Sequence, residues 1–141
     1  MKKLSIFFQI ATYIALFGWA ILVFLPNWKQ ANDVVMSINV TLLCGLYAYL
    51  LFFQKNISDE KYPKGGFSTL GGVINLFKNP KGVLIGWIHY LAFDLMIGIY
   101  IKNAANELQI SYWWQIPCFI LTLMFGPVGL LLFFILKYFL V

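Results

Sequence analysis

The sequence predicts an all-α integral membrane protein: four transmembrane helices in an antiparallel bundle, plus one short amphipathic interfacial helix between the second and third. Three observations carry this. Of the 141 residues, 62% are hydrophobic and 11% charged, against about 25% charged in soluble domains. The mean hydropathy is +0.82. Four apolar stretches, at about 4–26, 34–53, 83–101 and 116–138, each approach the roughly 20 residues that a helix needs to cross a hydrocarbon core. They leave little chain for anything else, so residues 1–141 are read as a single membrane domain whose site lies between the helices or at their ends.

The first span follows Lys2 and Lys3. Its apolar stretch exceeds the ~7–15 residues of a signal core and no small-residue cleavage pattern precedes Pro26, so it is expected to be a retained helix. Pro26 and the polar turn "NWKQAND" should make an antiparallel hairpin with the second span, with Trp28 at the interface. Within the second span, Asn39, Thr41 and two tyrosines are expected to hydrogen-bond between helices. The sequons at Asn39 and Asn56 should carry no glycan, the first lying in the membrane and the second on the cytoplasmic side.

The polar stretch "QKNISDEKYPKGG" reads as a tether. After it, Phe67, Leu70, Val73, Ile74 and Phe77 recur at three- and four-residue intervals, predicting an amphipathic helix over about 67–78. It is too short to span and should lie flat on the cytoplasmic interface, a re-entrant lid over a site being the alternative. Asn79 and Pro80 end it, and Pro80 suits the first turn of the third span. The last outer loop, "KNAANELQISYWWQIP", gathers Tyr112, Trp113 and Trp114 into an aromatic belt. Pro127, in the "FGPVG" of the fourth span, should kink that helix.

Every basic residue is lysine, and eight of the ten flank one side of the spans, leaving only Lys29 and Lys102 on the other. The positive-inside rule then gives a multi-pass cell-membrane protein with both termini and the middle loop cytoplasmic. The formal charge of +5 follows from that bias, and without arginine or a basic stripe nucleic acid is excluded as a partner. Cys44 and Cys118 should lie at depths too different for a disulfide. No metal site, phosphate-binding loop or nucleophile elbow is present and no cofactor is expected.

Ionisable groups in hydrocarbon are costly, roughly 2.5–3.5 kcal/mol on insertion scales, so they turn inward and pair or do work. The third span, "GWIHYLAFDLMIGIYI", carries His89 and Asp94. Asp94 should lie about 16 Å from the cytoplasmic start of that helix, near the midplane, and His89 about 9 Å in, level with Gln9, Thr12 and Tyr47. Gly126 and Gly129 reach a similar depth on the fourth span, so its kink should leave a void into which Asp94 points. On the helical wheel His89 is about 140° from Asp94 and Tyr90 about 40° from it. Tyr90 is therefore the local hydrogen-bond candidate, while His89 and Asp94 border the interior from opposite flanks. Hydrocarbon favours the neutral forms, a carboxylic acid and an imidazole able to accept a proton, and such a pair suits proton transfer on a membrane-dissolved substrate. Equally, the two groups serve as helix-to-helix glue. The candidate catalytic residues are His89, Asp94 and Tyr90. Trp87, Phe93, Phe125, Gly126, Pro127 and Gly129 are the candidates to line a substrate pocket.

Taken together, "LFKNP", "GWIHYLAFDLMIG" and "IPCFILTLMFGPVGLLLFF" resemble the abscisic-acid-deficient family, also called neoxanthin-synthase-like, in detail over about 70–137 and in layout over the whole chain. That resemblance implies a small multi-spanning protein whose plant members are required to convert violaxanthin to neoxanthin in plastid membranes. The conversion opens an epoxide and removes a proton to make an allene, which requires an acid at oxygen and a base at carbon. Carried to this sequence, Asp94 would be the acid, His89 the base and Tyr90 an alternative donor. Ile99 stands where some members place arginine, and the lysine-only usage looks bacterial, so a different isoprenoid or lipid substrate is expected.

The leading expectation is an isomerase or related enzyme acting on a carotenoid-like or other apolar isoprenoid. The alternative is a non-catalytic helper or apolar-ligand binder. A proton or solute pathway needs more than four short helices with one deep acid, unless the chain oligomerises. Membrane lipid, an apolar isoprenoid substrate and further copies in a homo-oligomer are the expected partners.

Overall fold

The computed structural model describes residues 2–53 and 62–141. The sequon at Asn56 and the tether's first eight residues, 54–61, lie outside the described residues. Among them, all regular structure is helical: α1 (Lys2–Phe24), α2 (Ala31–Phe52), α3 (Leu70–Lys78), α4 (Pro80–Glu107) and α5 (Tyr112–Leu140). By length and composition alone, four of these, all but α3, are long and apolar enough to cross a membrane. Large apolar side chains such as Tyr13, Phe17, Phe24 and Phe52 stay exposed along their outer faces, as expected where lipid rather than water is the solvent.

Helix α4 is the hub, packed against α1, α2, α3 and α5. Small residues let it approach α1. Ala11, Ala15 and Gly18 form the buried stripe of α1, and a methyl at Gly18 would come within 2.8 Å of the Leu95 side chain. The reciprocal contact seats Trp19 on Gly98, where an added methyl would lie 2.6 Å from the indole. Close backbone approach of this kind drives helix association where apolar burial cannot.

α4 is longer than the expected span of 83–101 at both ends. Its start is capped by the Asn79 side chain, which accepts from the Lys81 amide at 2.9 Å with Pro80 in the first turn. Its end runs through Lys102 and Asn103 to Glu107, so most of the stretch expected as an outer loop is helix. The reason is partnering. Pro26 ends the α1 segment and leaves carbonyls without helical donors. Lys102 Nζ donates to the Leu25 carbonyl at 3.4 Å, and the Tyr112 hydroxyl donates to that of Val23. The turn into α5 is then only four residues, with Gln109 at φ 57°.

Two features depart from regular helix. In α2 a π-turn covers Val35–Val40, with the Asn39 amide inside it donating to the Ile14 carbonyl of α1 at 2.7 Å. The expected interhelical bond of Asn39 is therefore present, whereas Thr41 donates to Met36 within its own helix.

The second departure is larger. α5 breaks at Phe125 (φ −145°, ψ 58°), and the break is a reversal rather than the expected kink. In a continuous helix residues 118 and 129 would be about 16 Å apart. Here a methyl at Gly129 would lie 2.6 Å from the Cys118 carbonyl oxygen and collide with Thr122. Phe119 of the first arm packs on Trp19, the neighbour of Gly98, and Phe133 and Phe134 of the second arm pack on Tyr100. Both arms thus lie along the Gly98–Tyr100 part of α4. The expected antiparallel fourth span over 116–138 is corrected to a helical hairpin, and the C-terminal arm heads back towards the end at which α5 begins. Leu4, by contrast, shares a hollow with Pro80 and Leu84, so α1 begins at the end of α4 opposite to the one that the C-terminal arm approaches.

Candidate functional site

The vertex of this hairpin rests on Asp94. The carboxyl is buried, at 5% exposure, and a methyl at Gly126 would lie 2.9 Å from its Cγ and closer still to Oδ1. Gly126 opens the second arm, whose first amides have no helical partner and whose end carries partial positive charge, a setting that favours a carboxyl. Oδ2 of Asp94 is buried without a hydrogen-bond partner. One turn back, the Tyr90 hydroxyl donates to the Met124 carbonyl at 2.7 Å, a carbonyl at the end of the first arm. The same hydroxyl faces the Asp94 carboxyl closely enough to interact with it. Tyr90 and Asp94, about 40° apart on α4, therefore hold the two sides of the break.

Tyr90 also opens outward. With Phe77, Gly86, Trp87, Leu123 and Met124 it lines an open hollow of about 450 Å³. The space exists because the second arm turns away and leaves this half of α4 uncovered. Trp87 stacks on Tyr90 with ring centroids 5.7 Å apart, so the indole forms one wall.

His89 looks elsewhere. It stacks on Phe93 at 4.5 Å and meets Tyr47 of α2 at 5.9 Å, the neighbour its depth predicted. With Tyr47, Leu51, Leu76, Phe77 and Gly86 it lines a more enclosed hollow of about 270 Å³ under α3. The imidazole makes ring contacts but no hydrogen bond among the described residues. His89 and Asp94 therefore do not face one chamber; the 140° between them sends each to a different flank of α4.

Of the proposed lining residues, Trp87 lines the hollow beside Tyr90, Phe93 stacks on His89 but lines neither hollow, and Gly126 lies at the carboxyl. Phe125 is exposed at the break and Pro127 beyond it is exposed too, while Gly129 packs on the first arm and lines neither hollow. Residues not foreseen are the Met124 carbonyl, Gly86 and, as a wall of both hollows, Phe77. A glycine four residues before Tyr90 in an apolar span was the available signal for Gly86, since it marks a close approach.

Compared with known proteins, the chain matches the ABA DEFICIENT 4-like family model over residues 6–133. The chain belongs to the ABA DEFICIENT 4-like family. No curated protein and no solved structure matches it. As an ABA DEFICIENT 4-like protein with four long apolar helices, it is a multi-pass membrane protein, and the matched region includes the hairpin vertex and every residue lining the two hollows.

Proposed function

We propose that this family member draws an apolar, oxygen-bearing molecule of isoprenoid type from the bilayer and rearranges it by acid-assisted proton transfer. The observation that carries the reading is the buried Asp94 carboxyl, with an unpartnered oxygen, directly behind a tyrosine hydroxyl that opens on a hollow. A buried carboxyl oxygen left without a partner is costly in stability, and ionisable groups of this kind mark working sites in membranes. Tyr90 is the group that touches the ligand oxygen: it exchanges the Met124 carbonyl for that oxygen and delivers a proton, which Asp94 resupplies. The aromatic walls exclude water from the transfer. His89, on the other flank, accepts the proton lost from carbon only when a ligand reaches both sides of α4.

The experiment is product profiling of apolar extracts from cells producing the wild type, Asp94→Asn or Tyr90→Phe, with the folded amount of each measured in detergent. Both variants are expected to lose product while remaining folded. Unchanged product per folded molecule in Asp94→Asn would remove the carboxyl from the chemistry.

A second reading is favoured by the contacts of Asp94 with Gly126 and of Tyr90 with Met124, which make the pair a staple for the hairpin in a non-catalytic, apolar-ligand-binding protein. In that case product, or bound ligand, falls only in proportion to folded protein.

A further inference from the structure

We propose that the two hollows are halves of one ligand chamber, divided by the Phe77 ring, which acts as a gate between the His89 side and the Tyr90 side. The proposal rests on the reading of Tyr90 and Asp94 given above and deepens it by naming how a ligand reaches both flanks.

Phe77 and Gly86 are the two residues common to both hollows. They touch: a methyl at Gly86 would lie 2.8 Å from Phe77 Cε1, so the ring rests on the bare backbone of α4 and forms the partition. Phe77 is itself 55% exposed, so little packing opposes a rotamer change, and such a change in an exposed side chain is fast.

The helix that bears Phe77 is capped and bonded to the stretch that leads into it. Thr69 caps its start through the Gly72 amide at 3.1 Å, the Gly66 amide donates to the Gly72 carbonyl at 3.1 Å, and the Asn75 side chain donates to the Lys64 carbonyl at 3.4 Å. These bonds keep α3 helical around Phe77, and the gate is assigned to its ring.

The polar groups set what the joined chamber takes. On one side the His89 imidazole and the Tyr47 phenol have no hydrogen-bond partner among the described residues. On the other stands Tyr90. His89 is exposed and Tyr47 and Tyr90 are half-buried, so each is open to a partner that arrives with a ligand. Everything between them is apolar. The ligand is thus an elongated hydrocarbon bearing oxygen near one end, with that end straddling α4 at Gly86 so that its oxygens meet His89 and Tyr90 together. A smaller alcohol fills one hollow and leaves the gate shut.

Binding to the purified chain in nanodiscs tests this with two probes: all-trans-retinol as the long one, followed by energy transfer from tryptophan, and 4-tert-butylcyclohexanol as the short one, followed by competition. Phe77→Ala is expected to tighten retinol binding about tenfold, while leaving the short alcohol within about twofold, and Phe77→Trp to weaken retinol alone. Phe77→Leu keeps an apolar partition and controls for folding. Equal changes for both probes, unchanged retinol binding in Phe77→Ala and Phe77→Trp, or no binding of either probe to any variant would each overturn the gate. The measurement reads binding and not turnover, so its failure leaves the Tyr90–Asp94 chemistry to the product assay, and loss of that chemistry leaves the gate to this one.

Discussion

Gly126 has no side chain because the Asp94 carboxyl occupies the place where one would begin. Gly126→Ala is therefore expected to cost about 1–3 kcal/mol, the usual range for overpacking, read as a lowered unfolding midpoint in detergent. In an Asp94→Ala background the same change should cost clearly less, by more than the roughly 0.5 kcal/mol within which independent sites add. Additive costs would mean that the two residues do not meet. This contact was legible in the sequence, since helical rise alone puts Asp94 and Gly126 at one depth. So was the Tyr47–His89 contact. The Met124 carbonyl was not, because a backbone acceptor has no signature in the residue type. The separation of His89 from Asp94 was present in the helical wheel: the imidazole turns to the hollow under α3, while the carboxyl meets Gly126 and lines neither hollow.

At the scale of elements, α3 shows how local chemistry defines a helix that is too short to hold itself. Its nine residues fall below the length at which isolated helices are stable, and its footing is the Thr69 cap and packing on α4. Thr69→Ala should cost about 1 kcal/mol and appear as faster amide exchange at Gly72 and Val73, with α4 unaffected; unchanged exchange would mean that the cap contributes nothing. The periodicity of Leu70 to Phe77 foretold this helix and Asn79–Pro80 its end, but the expected start at 67 is three residues early, since the Thr69 cap opens the helix at Leu70 and leaves Phe67 before it. α4 was underestimated because Lys102, Asn103 and Asn106 read as loop, whereas Lys102 is buried at 3% exposure against the carbonyl end of α1. α5 was misjudged in the opposite sense. Pro127 signalled a break, but the direction taken after it depends on Gly126 and Gly129, which let the second arm close on Asp94 and on the first arm. Nothing in the composition of "FGPVG" separates a bend from a reversal.

For the whole molecule, the four apolar stretches fix the class and α4 organises the rest. The reversal of α5 gathers both of its arms at one end of α4, leaves the face around Trp87 and Tyr90 uncovered, and so creates the hollow there. A continuous fourth helix would cover that surface and carry Asp94 away from a helix start, and the proposed chemistry would lose its setting. The most direct test is the distance between spin labels attached through Trp113→Cys and Phe139→Cys, both at exposed positions, in a reconstituted chain with Cys44 and Cys118 replaced. The folded hairpin predicts a separation roughly half that of a straight helix or less, the straight value being about 39 Å. A narrow distribution near that longer value would contradict the account.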